Sequence, residues 1–170
     1  MTKPQLESPA ERFPLAYLIT FRSYGTWLHG RAGSVDRFHN IYGAPTLPAN
    51  EPRRKYNLRL LKHRPVMLNA LARTQVELAI RETCNIRGWL LWAFNVRTNH
   101  VHTVVSAKCK PDGILSAFKA NATRKMKEVG CWAGDRTPWV RRGSKRWLWT
   151  KKDLNNAIDY VLYGQGLPLP

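Results

Sequence analysis

The sequence predicts an α+β fold: a two-layer, ferredoxin-like sandwich with a mainly antiparallel sheet, helices on one face and a long inserted loop. Three observations predict it. Short segments rich in β-branched and aromatic residues recur at 15–22, 89–96 and 99–106. Between and after them, apolar residues return at helical spacing over 66–87 and from 112 to about 129. The chain has 170 residues, of which 44% are hydrophobic, enough for one domain that buries roughly 70% of its unfolded surface.

Each element has its own warrant. Residues 1–13 are polar and proline-containing and read as a flexible tail, leaving 14–170 as a single domain. In Leu15-Ala-Tyr-Leu-Ile-Thr-Phe-Arg22, Tyr17, Ile19 and Phe21 fall on one side of a strand. Periodicity then stops over 23–65, where glycines 25, 30, 33 and 43 and prolines 45, 48, 52 and 65 mark a loop long enough to be functional or disordered. On the helix at 66–87, Leu68, Leu71, Ala72, Val76, Ala79 and Ile80 share a face, and Gly88 ends it. Strands at 89–96 and 99–106 are joined by a short turn at Arg97-Thr98-Asn99. Asp112 is the expected cap of the next helix, which buries Leu115, Phe118, Ala122 and Val129 and stops at Gly130. A short strand at 146–150 follows. Asp153 is the expected cap of a last helix with the stripe Leu154, Ile158, Val161 and Leu162.

Composition narrows the function. Twenty-eight Lys and Arg against 11 Asp and Glu give a formal charge of +17, so a polyanion is the expected partner. No apolar run approaches the ~20 residues of a membrane-spanning helix, and no apolar leader or lipidation signal is visible, so a cytoplasmic, nucleoid-associated protein is expected. The three cysteines, Cys84, Cys109 and Cys131, lack CxxC spacing. They argue for a reducing compartment and against structural zinc.

The most informative stretch is Asn99-His-Val-His-Thr-Val-Val-Ser106. On a strand, residues i and i+2 share a face, so His100 and His102 project side by side while Val101 enters the core. Two neighbouring imidazoles are half of a divalent-metal site; the plain alternative is a pair of polar residues on a solvated face. On the last helix, Tyr160 lies about 110° from the centre of the apolar stripe and Tyr163 about 170°. Tyr160 therefore sits at the border, where it can reach across a neighbouring sheet, whereas Tyr163 faces water. A phenol can attack phosphorus when a cation offsets the developing charge.

His100-Val101-His102, with Tyr160 some 60 residues later on a C-terminal helix, resembles the single-tyrosine HUH transposases of bacterial insertion sequences, and more closely the REP-associated tyrosine transposases. The stretches Tyr24-Gly-Thr-Trp-Leu-His-Gly30, Gly33-Ser-Val-Asp-Arg37 and Asn95-Val-Arg-Thr-Asn-His-Val-His102 carry the likeness further, so that it spans Tyr17 to Gln165. The resemblance implies an HUH-type catalytic domain over 14–170 that nicks and joins single-stranded DNA near imperfect hairpins with Mg²⁺ or Mn²⁺, through a 5′-phosphotyrosine, often as a homodimer. It makes His100 and His102 metal ligands and Tyr160 the nucleophile. The insertion-sequence branch has a glutamine four residues after the tyrosine; here that position is Gly164, and Gln165 follows. On a continuous helix Gln165 would point ~140° away from Tyr160. It reaches the metal only if the helix unwinds at Gly164, and is otherwise a C-cap; Asn156, one turn before Tyr160, is the substitute.

Basic residues supply the expected DNA contacts. Arg53, Arg54 and Lys55 could reach a hairpin stem. Lys119 and Arg124 lie off the apolar face of their helix, and Arg141, Arg142 and Lys145 lie in the aromatic-basic segment Trp132–Trp149, a pattern suited to stacked bases and bound phosphates. Within that segment Trp147 and Trp149 are assigned to the core. His29 and His39 are expected to make loop contacts, and Asp36 either supports the site or pairs with Arg37. The alternative function is a basic single-strand or hairpin nucleic-acid-binding module without catalysis.

Overall fold

The computed structural model describes residues 12–30, 47–167 and 169. The tail through residue 11, the Gly33–Arg37 motif, Asp36 and His39 lie outside the described residues. The elements are β1 (Ala16–Ser23), α1 (Glu51–Arg59), α2 (Ala70–Arg87), β2 (Leu90–Val96), β3 (His100–Ser106), α3 (Pro111–Glu128), β4 (Trp139–Leu148) and α4 (Lys151–Tyr163). The strands form one antiparallel sheet in the order β2-β3-β1-β4. With α2 after β1 and α3 after β3, this is the β-α-β-β-α-β ferredoxin-like arrangement, with α4 added at its end.

Alternation along β1 builds two cores. Tyr17, Ile19 and Phe21 meet Val76, Ile80, Ile114, Phe118 and Met126 of α2 and α3 on one face. Ala16 and Leu18 meet Leu154, Ala157 and Val161 of α4 on the other, together with Ala93, Val104 and Leu148. The expected layer of helices is thus α2 and α3, while α4 covers the opposite face. It packs there through a narrow buried stripe of Leu154, Ala157 and Val161.

Several local expectations are corrected. The 23–65 segment contains α1, whose residues are exposed all round, so hydrophobic periodicity could not reveal it; the Asn50 cap with Glu51 and Pro52 behind it was the available signal. α2 starts at Ala70 under an Asn69 cap, and Leu71 is exposed. α3 starts on Pro111 with Lys110 as N-cap, which leaves Asp112 in the first turn, and Met126 rather than Val129 is buried. Thr150 caps α4 in a capping box whose third residue is Asp153, and Leu162 is exposed. β4 begins at Trp139, seven residues before the expected strand.

The tryptophans are also redistributed. Trp139 is buried with its indole N–H directed at Lys119 O and Thr123 Oγ1, whereas Trp147 is 44% and Trp149 48% exposed. Leu148 takes the α4 face, so Trp147 must point to the α3 side. There it rests edge-on against Tyr17, its partner in the β1–β4 register.

Candidate active site

The pairing of β1 with β3 sets Thr20 opposite His102 and Arg22 opposite His100. Both imidazoles project to the α4 face, 4.8 Å apart between ring centres. Each is fixed through Nδ1. That of His102 lies 2.7 Å from Thr20 Oγ1 and that of His100 lies 2.6 Å from Asn99 Oδ1. An Nδ1–H bonded to oxygen leaves the lone pair on Nε2, which is how proteins orient a metal-binding histidine. His102 is only 6% exposed. Burial pushes its pKa down to about 3, helped by the neighbouring His100 and Arg22 and opposed by a hydrogen bond to Gln165. It is therefore neutral, the form that can bind a cation.

α4 brings the phenol. Tyr160 is 48% exposed and its ring lies 5.4 Å from that of His102, edge to face. β2 helps to hold this helix: Asn95, paired with His102 in the sheet, donates from Nδ2 to Val161 O at 3.1 Å. Tyr163 is 79% exposed and lines a separate cleft with Arg73, Phe94 and Arg97.

Gln165 joins the group because α4 ends at Tyr163. The Gly164 N–H bonds to Tyr160 O at 3.0 Å, and the chain turns there. A Cβ on residue 164 would come within 2.8 Å of Tyr160 O and 3.0 Å of its ring, so a glycine lets the turn close over the tyrosine. The Gln165 amide then donates from Nε2 to Tyr160 O at 3.1 Å, which directs Oε1 to His100 Nε2 at 3.4 Å. With the His100 proton on Nδ1, two electron-rich atoms face one another, and a cation or a proton between them relieves the repulsion. Two imidazole nitrogens and an amide oxygen thus fit a divalent metal, and Mn²⁺ tolerates this mixed set better than Mg²⁺. Among the described residues no three His, Cys, Asp or Glu side chains converge. Asn156, one turn before Tyr160 on α4, is exposed.

The basic residues divide. Arg53, Arg54 and Lys55 are exposed on α1, with Arg54 bonded to Glu51 at 2.8 Å. Arg141 and Arg142 are exposed on the β4 edge, beside a cleft of about 360 Å³ shared with Lys145, Asp112 and Ser116. Lys145 pairs with Asp112, and Arg124 with Glu128. Lys119 is turned inward: its ammonium donates to Val140 O, Arg142 O and Arg141 O at 2.7, 3.1 and 3.3 Å. Burial, with Lys145 nearby, pushes its pKa down to about 8. It ties α3 to β4 instead of facing solvent as expected. The thiols of Cys84, Cys109 and Cys131 are all shifted up by burial, that of Cys84 to about 11, away from any reactive form.

Sequence reasoning missed Thr20, Asn99, Asn95 and the Arg22–Trp27 pair. Asn95, Asn99 and Trp27 stood inside stretches already singled out, and Thr20 and Arg22 inside the first predicted strand; the meeting of Thr20 and Arg22 with the histidines depends on strand register.

The family model described as "Transposase IS200 like" matches residues 58–152, more than half of the chain. The chain belongs to the IS200-like transposase family. The match runs from the end of α1 to the start of α4 and includes both histidines; Tyr160 and Gln165 lie beyond it and stand on geometry. Among solved structures, this transposase is similar to a REP-associated tyrosine transposase bound to a REP hairpin. That likeness has TM-score 0.51 and 14% identity, covering 91% of this chain and 70% of that one. It establishes the shared fold. A candidate transposase from Deinococcus radiodurans R1 is also similar, with TM-score 0.48 and 12% identity, covering 96% of this chain and all of the other. No curated protein sequence matches significantly. Among the described residues, no helix is long and apolar enough to cross a membrane.

Proposed function

We propose that this transposase nicks and rejoins hairpin-bearing single-stranded DNA through a covalent 5′-phosphotyrosine on Tyr160. The observation that carries the reading is the convergence, within one chain, of Tyr160, His100, His102 and Gln165. The solved relative was bound to a REP hairpin, and the charge of +17 suits the same class of ligand.

In the reaction, Tyr160 Oη attacks phosphorus as the P–O3′ bond breaks. The phenol loses its proton, and the departing 3′ oxygen gains one. Rejoining is the reverse, with a 3′-hydroxyl attacking the phosphotyrosine, so the bond energy is kept and no ATP is needed. His100, His102 and Gln165 would hold Mn²⁺ or Mg²⁺, which supplies Lewis-acid polarisation of the phosphate when bound. Thr20 and Asn99 keep both imidazoles in the ligating tautomer. The Gly164 turn and Asn95 fix the approach of α4 and hence of the phenol. Exposed Arg53, Lys55, Arg141 and Arg142 contribute phosphate contacts along the strand, with paired Arg54, Lys145 and Arg124 adding to the field.

The test is direct. A labelled hairpin oligonucleotide with single-stranded flanks is incubated with Mn²⁺ and resolved in SDS. The wild-type protein is expected to form a covalent adduct and Tyr160→Phe none. Tight binding by the wild type with no adduct on any hairpin would instead mark a non-catalytic nucleic-acid-binding module.

A further inference from the structure

We propose that Arg22, stacked on Trp27, is the arm that grips the reacting phosphate, a catalytic residue additional to the tyrosine and the ligand pair. The inference rests on the phosphotyrosine reading above and extends that site. Arg22 is two residues beyond Thr20 on β1, so both side chains leave the same face of the sheet, the face of the imidazoles. In the sheet register Arg22 is the direct partner of His100, which puts the two Cβ atoms about 5 Å apart. Its guanidinium carbon lies 3.9 Å from the centre of the Trp27 ring.

The loop carrying Trp27 is itself tied to the first residues of the histidine strand. Ser23 N and Oγ and Thr26 Oγ1 all donate to Asn99 O, at 3.0, 3.2 and 3.4 Å. Asn99 thus orients His100 through its side chain and anchors the Trp27 loop through its carbonyl. Ligand and guanidinium are thereby fixed to the same residue.

Such an arrangement has a specific use. A guanidinium presents paired N–H donors that match two non-bridging phosphate oxygens, and stacking on an aromatic face holds the fork in one plane. Arg22 would then meet the charge that builds on those oxygens as the Tyr160 Oη–P bond forms and the P–O3′ bond breaks. It exchanges no proton or electron in the step. The Tyr24–Gly30 stretch finds its role here as the support for the guanidinium.

Two measurements test the assignment. In wild-type protein, the Arg22 Nε–Hε NMR signal is expected to move in a saturable way on titration with inorganic phosphate; an unmoved signal overturns the proposal without recourse to any variant. Second, adduct formation is timed under single turnover on a pool of hairpin oligonucleotides with Mn²⁺. Arg22→Gln is expected to slow it about 10²–10³-fold, with Arg22→Lys recovering part of the loss and Mn²⁺ affinity preserved in both. Adduct formation at the wild-type rate by Arg22→Gln overturns the role of Arg22 and leaves Tyr160 as nucleophile. Absence of adduct from the wild type overturns the underlying reading, and this proposal with it.

Discussion

Replacing Thr20 by valine removes one oxygen from the sheet and keeps the shape of the side chain. That oxygen is 2.7 Å from His102 Nδ1, and His102 is buried, so no water readily takes its place. The buried nitrogen left without a partner costs about 1–3 kcal/mol of stability. The larger effect is on tautomer and ring orientation. Loss of such an outer contact lowers metal affinity about 10–100-fold, equivalent to about 1.4–2.7 kcal/mol at ~1.4 kcal/mol per decade. Mn²⁺ titration followed by electron paramagnetic resonance gives the affinity, and the Mn²⁺ dependence of adduct formation gives the functional midpoint. Both should move to higher Mn²⁺ in Thr20→Val and stay near wild type in Thr20→Ser, which retains a hydroxyl. Identical Mn²⁺ curves for Thr20→Val and wild type, with the fold intact by circular dichroism, would refute the argument that Nδ1 is fixed so that Nε2 can ligate.

Further outcomes follow from other contacts. A methyl group at residue 164 meets Tyr160 O at 2.8 Å and its ring at 3.0 Å; Gly164→Ala should displace the phenol and slow adduct formation by up to about 10²-fold with little change in melting temperature. Gly143→Val drives a side chain to 2.6 Å from Thr20 O and 3.0 Å from Leu115, and should cost about 1–3 kcal/mol of stability in urea unfolding. For pH, the folded pKa of His102 is lowered to about 3 from 6.5, so below about pH 6.5 the unfolded chain takes up a proton that the folded chain refuses. Stability of the metal-free protein should therefore fall from about pH 6.5 towards 3, by up to about 5 kcal/mol, and subtracting the profile of His102→Gln should isolate this component. Because phenol and imidazoles converge in one chain, mixing Tyr160→Phe with His102→Ala should not restore adduct; restoration would place the reacting groups on different copies. If six to ten phosphates are neutralised, hairpin affinity should drop about 10³–10⁵-fold between 50 and 200 mM salt in a filter-binding assay.

Much of this was legible in the amino-acid order, for identifiable reasons. His100, Val101 and His102 declare their faces through the two-residue period of a strand, and the helical stripe of α4 places Tyr160 at its border without reference to the rest of the fold. Gln165 was legible only conditionally: its reach depends on where the helix stops, and the stop is set by the contact of Gly164 with Tyr160. Thr20 and Arg22 could not be read at all, because they meet the histidines through the β1–β3 register, a pairing across some eighty positions. Lys119 misled for the opposite reason. A lysine off the apolar stripe normally meets water, but here a neighbouring strand crosses above it.

That inward lysine has a bearing on how the molecule behaves at high concentration. β4 is the last strand of the sheet, and the outer rim of any sheet invites further strands to add on. Three successive carbonyls of this rim, from Val140 to Arg142, already accept from the Lys119 ammonium, next to the irregular pairing opposite Phe21 and Ser23. Their oxygens are thus turned towards the protein's own helix. Over this stretch a foreign strand would meet an interrupted ladder beside the exposed charges of Arg141 and Arg142.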